Sequence, residues 1–386
     1  MQDSIFTIPI LPPELIAEIL ARLLVKSLLK FRFVSKSWLG LISSPEFIKT
    51  HLSISANNKE CTHHRLMMEV NQPNNKLKEC SLSSLIYDES VIEASDLDYT
   101  MKNSGGYFRV VGFVNGLICL EGGTRNLFLW NPTIKKYKEL PYYIRILKRN
   151  TKAIYGFGYD EFHDDYKVVC GLSIYQHGNL PLVEVKVYSL KSDSWKSMDD
   201  FEDGVRFRNS GPFLNGKLHW TTSCGLGKYS PRGPWGIISI DMADEKWEKI
   251  EPPCHGKKEE FGFALGVLGN NLSVLYMNYL IRINLWVTKE YGIKESWTKM
   301  YTIKCLSDLE TCFHFPSCYM SKKGEILVLY GTYGMIHNQE DTPSVIKKIY
   351  NPKDDSISYT KVTNLWMTEI YIESLVCPLP QNQPRI

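Results

Sequence analysis

What this sequence lacks excludes several classes of function. No apolar run reaches the roughly 20 residues of a membrane-spanning helix, and Pro9, Pro12, Pro13 and Glu14 interrupt the N-terminal apolar stretch, unlike a secretory signal. Neither sign of charge dominates. The 45 Lys and Arg against 42 Asp and Glu leave a net +3, too weak a field to argue for nucleic acid or a membrane surface. The ten cysteines have no paired spacing, and Cys119, Cys170 and Cys377 stand inside apolar strand-like runs. A reducing compartment is expected, the cytoplasm and/or the nucleus. No Gly-rich phosphate loop, nucleophile elbow or dinucleotide fingerprint is present. The acidic pairs Asp164-Asp165, Asp199-Asp200 and Glu259-Glu260 fall in turn-like sequence, where nothing sets two carboxylates across a substrate. Cys61, His63 and His64, and likewise Cys305, Cys312, His314 and Cys318, lack the spacing of a zinc site. The expectation is a non-catalytic chain with no metal and no cofactor.

What is present divides into two parts. Residues 9–52 open with Leu11-Pro12-Pro13-Glu14-Leu15. Leu15, Ile16, Ile19, Leu20 and Leu23 follow at helical spacing. Two more runs hold Val25, Leu28, Leu29 and Phe31, then Val34, Trp38, Leu41 and Ile42. Three short helices pass through these positions, and Lys26, Lys30, Arg32 and Lys36 between them form a solvated face. A unit of about 45 residues is too small to bury every apolar face. One face is therefore left for docking.

From about residue 60 the period changes to short runs rich in aromatic and β-branched residues, separated by Asn, Asp and Gly turns. One unit recurs: an apolar strand, a polar turn, then a strand carrying Tyr137, Trp195, Trp247, Trp297 or Tyr359. These aromatics return roughly every 50–60 residues, a period that suits four strands per unit, and they are assigned to packing. A second hairpin lies between the markers, with Asn115-Gly116 and Asn215-Gly216 as its strongest turn signals. Five complete four-stranded units span 110 to about 362. The fragments 64–89 and 369–379 would build a sixth, with the C-terminal run innermost. The expected fold is an all-β propeller of six blades, with seven as the alternative.

Label the strands of a blade a to d from the centre outward. The a–b turns are short, whereas 142–152, 173–182, 199–210, 223–235, 254–261 and 332–344 are long b–c or d–a connections. Those two classes of connection leave the same face of a propeller, so the long loops share one side, where binding function concentrates. The helical unit would enter blade six at strand b, from the opposite side. Basic-aromatic clusters of the kind found at interface hot spots occur in two long loops: Tyr142, Tyr143, Arg145 and Arg149, then Tyr229, Arg232 and Trp235.

Leu11-Pro12, Glu14-Leu15, Ile19-Leu20, Val25-Lys26-Ser27-Leu28, Val34-Ser35-Lys36-Ser37-Trp38 and Leu41-Ile42-Ser43 resemble, in order and spacing, the F-box of SCF-type ubiquitin ligases. NGLICL, LWNP, YGFGYD, LNGKLHW and YIESLV resemble the plant F-box-associated (kelch-like) domain, found in pollen S-locus F-box proteins and in relatives in defence signalling. Two positions depart from the F-box pattern. Leu24 stands where the family usually has a second proline, and Phe33 where plant members usually carry cysteine. Without that proline the turn would lengthen into helix.

The resemblance implies an F-box at 9–52 and a substrate-recognition propeller at 60–380. It implies a Skp-family adaptor as partner and, through it, a cullin and a RING protein, with no nucleic acid and no membrane. Adaptor contacts would be Leu11, Pro12, Leu15, Ile19, Leu20, Leu24, Leu28, Val34 and Trp38, with Pro12 starting the first helix and the apolar side chains as buried anchors. Leu20→Asp would then abolish adaptor binding and leave the propeller folded. The mechanism would be proximity, a target held beside a charged enzyme. A ligand- or glycan-binding propeller with an idle F-box is the alternative, and a metal-bearing propeller enzyme is a third reading.

Overall fold

The N-terminal periodicity folds into four helices: α1 (Pro13–Ala21), α2 (Val25–Phe31), α3 (Lys36–Ile42) and α4 (Pro45–Ala56). In this computed structural model Pro13 occupies the first turn of α1, where a missing N–H breaks no hydrogen bond, and Pro12 is the capping residue before it. Ser35 Oγ accepts the Trp38 N–H at 3.1 Å and starts α3. Ser44 Oγ accepts the Phe47 N–H at 3.2 Å and starts α4, a fourth helix beyond the three expected. Its buried positions are Phe47, His51 and Ser55, so the inward stripe is mostly polar and a search for apolar residues passes over it.

The turn between α1 and α2 does not lengthen, contrary to expectation. The Arg22 and Leu23 N–H groups close the helix onto the Ile19 and Leu20 carbonyls at 3.2 and 3.0 Å. Leu24 then takes φ −61° and ψ 144°, close to the conformation a proline imposes.

The structure describes residues 11–379 except 59, 71–75, 88–93, 98–100, 102–107, 124, 143–150, 175–181, 199–205, 209–210, 224–234, 254–261, 279–281, 305–316, 322–323, 333–343, 352–355 and 364. Six antiparallel sheets form the six blades of a propeller. Blade 1 comprises Phe108–Val114, Leu117–Gly122, Leu127–Asn131 and Lys136–Glu139. Blade 2 comprises Thr151–Asp160, Asp165–Ile174, Leu182–Ser189 and Ser194–Met198. In blade 3 strand a is split into Arg206–Arg208 and Phe213–Leu214, followed by Lys217–Ser223, Trp235–Asp241 and Trp247–Ile250. Blades 4 and 5 continue the pattern over 262–304 and 317–363.

Blade 6 joins the two ends of the chain. Its innermost strand is Leu365–Ile372, which pairs with His64–Val70, then Lys76–Ser81 and Ser95–Asp96, with the short helix α5 (Leu82–Tyr87) set between the last two. The innermost strand therefore begins earlier than the expected 369 and stops at Ile372. The residues after it leave the sheet.

Asn115-Gly116 and Asn215-Gly216 both adopt positive φ at the two turn positions, as their hairpins require. On strand a of blade 2, Gly156 admits the next blade: a Cβ there would lie 2.5 Å from the Trp220 indole. Tryptophans on strand d bind the preceding blade. Trp195 Nε1 donates to Pro141 O at 2.8 Å and Trp297 Nε1 to Glu251 O at 2.9 Å. Trp195 and Trp297 thus tie their blades to the one before.

Candidate functional site

Within the helical module the inward stripe of α1 supplies Leu20 and Ala21, which pack with Val25, Leu28, Ile42 and Phe47. Residues one helical step aside point outward. Leu15 and Ile19, four apart on α1, face outward, Leu11 lies two residues before the helix, and all three are about half exposed (46, 52 and 52%). Leu24, Val34, Leu39 and Phe33 are exposed as well, Phe33 at 91%. Seven large apolar side chains are thus left in water on this small module, three of them (Leu15, Ile19 and Leu39) on its helices and four in the segments before and between them.

The predicted contact residues therefore separate into two groups. Leu11, Pro12, Leu15, Ile19, Leu24 and Val34 lie at the surface. Leu20 and Leu28 do not: at 2 and 0% exposure they are core residues that pack the helices together. Trp38 is half-buried, its ring edge-on to Phe31 at 5.6 Å. Phe33 and Leu39 were absent from the predicted set. Phe33 entered only as a departure from the family pattern, yet it is the most exposed of the seven.

The module sits on the face of the propeller that carries the a–b and c–d turns. Strand b of blade 6 starts there, directly after α4 and residues 57–63. Lys49 of α4 pairs with Asp164 in the a–b turn of blade 2 at 2.9 Å. Ile134, in the c–d turn of blade 1, packs against the helical core. The junction beneath α4 is lined by histidines. His51 Nε2 lies 2.9 Å from Leu23 O, and its ring meets His63 edge-on at 5.5 Å. Burial holds all three imidazoles, His51, His63 and His64, below their ordinary pKa; for His63 the value falls to about 4, with the neighbouring His51, His64 and Arg65 charges adding to the effect. Cys61 Sγ, weighed above as a metal ligand with these histidines, instead lies 2.6 Å from Tyr319 Oη.

The d–a and b–c connections leave the strands at the other face. Of the residues predicted there, Tyr142 is exposed. Trp235 is half-buried at the start of strand c of blade 3, where it packs on Tyr276 at 5.8 Å. Tyr143, Arg145, Arg149, Tyr229 and Arg232 lie outside the described residues, as do Cys305, Cys312 and His314.

Comparison with known proteins agrees with this division. Residues 8–50 match the F-box domain and residues 68–377 the F-box associated beta propeller domain. An F-box/kelch-repeat protein of Arabidopsis thaliana is 34% identical over 304 residues, covering 77% of this chain and 80% of that protein. The F-box protein CPR1 of Arabidopsis thaliana is 27% identical over 347 residues, covering 82% and 79%. Among solved structures, a fucoside complex of Aleuria aurantia lectin aligns over 78% of this chain and 95% of that one, at a TM-score of 0.41 and 12% identity, too distant to bear on function. With a helical module that matches the F-box and a six-bladed ring whose last blade joins residues 64–96 to Leu365–Ile372, this protein belongs to the F-box proteins that carry an F-box-associated β-propeller.

Proposed function

We propose that this chain is the substrate-recognition subunit of an SCF-type ubiquitin ligase. The F-box at 9–52 would bind a Skp-family adaptor, and the propeller at 60–380 would hold the target. The observation that carries the reading is the exposed stripe Leu11, Leu15 and Ile19, joined by Leu24, Phe33, Val34 and Leu39. Burying a leucine or isoleucine side chain contributes about 1.5–3 kcal/mol, so a few such anchors in an adaptor groove supply micromolar affinity after the cost of association. The target is placed on the opposite face, to which the long connections run, with Tyr142 as its described aromatic contact. The subunit then acts by effective concentration, with no group transfer of its own. The cytoplasm or nucleus is the matching compartment. The buried Cys119 and the exposed Cys377 are free thiols, which fits a reducing environment.

The test is the affinity of the full chain for a purified plant Skp adaptor, measured beside Ile19→Asp. Binding at micromolar strength or tighter by the unmodified chain, lost in Ile19→Asp without a change in melting temperature, is the expected result. Equal binding by both chains would overturn the assignment of the docking face, and no binding by either would overturn the ligase reading.

A further inference from the structure

The residues that close the propeller also complete the helical module. Past Ile372 the chain leaves the sheet and runs against the turns of blade 1. Glu373 donates its N–H to His63 O at 2.8 Å, and its buried carboxylate pairs with Arg65 at 2.9 Å. Asn131, at the end of strand c in blade 1, has no exposed surface and grips the residues on either side of Leu375. Its Nδ2 lies 3.0 Å from Ser374 O, 3.1 Å from Ser374 Oγ and 2.8 Å from Val376 O, while its Oδ1 accepts the Thr133 N–H at 2.9 Å. Gly116 lies against the same tail with φ +80°, and a Cβ there would stand 2.2 Å from Ser374 Oγ. Held on both sides, Leu375 turns into the F-box core beside Leu20, Ala21, Val25, Leu28, Ile42 and Phe47, at 2% exposure.

A tether between two independent domains needs no buried side chain. Here Leu375, three residues past the strand that closes the ring, is one of seven buried members of a very small core, and a core of that size has little reserve. We propose that ring closure licenses adaptor docking, with Asn131 and Leu375 as positioning residues that act through Leu20 and Leu28 on the exposed stripe of α1. A chain whose last strand is not in place presents an incomplete F-box. The consequence for the adaptor rests on the function proposed above, whereas the coupling between ring and helices does not.

The experiment uses the full chain and its variants Asn131→Ala, Leu375→Ala, Leu375→Met and Leu275→Ala, at a temperature where each is folded by circular dichroism. Leu275 is equally buried, in blade 4, and away from the junction. Two quantities are read: amide hydrogen exchange across α1–α4, and affinity for the Skp adaptor. Asn131→Ala and Leu375→Ala are expected to speed exchange throughout α1–α4 by about tenfold or more and to weaken adaptor binding by a similar factor. Leu375→Met refills the site and should restore both to within about threefold. Leu275→Ala should move neither. Unchanged exchange in α1–α4 for Asn131→Ala and Leu375→Ala would overturn the proposal, as would equal acceleration by Leu275→Ala. If Leu375→Ala does not fold, Asn131→Ala, which removes no apolar contact from the helical core, carries the test. If the unmodified chain binds no adaptor, the ligase reading falls while exchange still decides the coupling.

Discussion

Two adjacent residues of α1 have opposite roles, and the difference is one of phase. Ile19 is half exposed and Leu20 is buried, so the same aspartate substitution would act on different properties. Ile19→Asp puts a charge where an adaptor would bury an anchor. It should reduce adaptor affinity by a hundredfold or more, on the order of 3 kcal/mol, with the melting temperature held. Leu20→Ala empties a packed site instead and should cost about 2–5 kcal/mol of F-box stability, read by denaturant unfolding. Leu20→Asp is still expected to remove adaptor binding, but through the core and not through a lost contact, because a buried carboxylate at Leu20 would unfold the helices. The spacing of apolar residues along 13–21 was legible in the sequence and located α1 well. Its phase was not, because Leu15, Ile16, Ile19 and Leu20 satisfy the helical period on both sides of the helix, and only the placement of α4 and Leu375 shows which side is inward.

At the scale of elements, the α1–α2 turn and the helix–propeller junction each carry a prediction. Leu24 already holds φ −61°, and among the described residues its N–H makes no backbone hydrogen bond. Leu24→Pro should therefore raise stability by about 0.4–1 kcal/mol through the unfolded chain and leave adaptor affinity within a factor of three. Loss of helicity in that variant would show that the turn depends on the leucine. At the junction, His63 is buried and neutral, with a pKa of about 4 against an ordinary 6.5. Between those two pH values the unfolded chain binds a proton that the folded chain does not. Stability is then full above about pH 6.5 and is lost as pH falls toward 4, by about 2–3 kcal/mol for this one imidazole. His51 and His64 shift in the same direction and should deepen the loss. Denaturant midpoints at pH 7.5 and pH 5 are expected to differ accordingly, and His63→Gln should flatten the difference. The junction was invisible in the sequence, where Cys61, His63 and His64 prompted only a comparison with zinc spacing. His51 belongs to a helix that apolar periodicity did not find, and its approach to His63 is a tertiary fact.

At the scale of the whole molecule, the six blades were legible because their markers repeat. The Asn-Gly turns, the strand-d tryptophans and the leftover fragments at both ends were enough to predict a ring closed by its termini. What the repeat could not show is how late that closure must come. His64 pairs with Ile372 and Glu69 with Met367, so the first strand of the propeller has no inner partner until nearly the whole chain has been made. Closing a loop of that length costs only a few kcal/mol, because the entropy grows slowly with length. The same non-local pairing makes folding slow, and it leaves the His64–Val70 edge and blades 1 and 5 open in the meantime. A chain stopped at residue 363 keeps five whole blades but loses the strand that pairs this edge, and an unpaired, largely apolar edge is a template for association. We expect that truncation to elute as aggregate in size-exclusion chromatography, whereas a chain stopped at 379, which retains Leu365–Ile372 and the tail through Val376, should elute as the full-length protein does. A soluble monomer from the shorter chain would mean that blade 6 can stand on its three remaining strands. The pairing of the two ends would then add rigidity to the ring without being required for its formation.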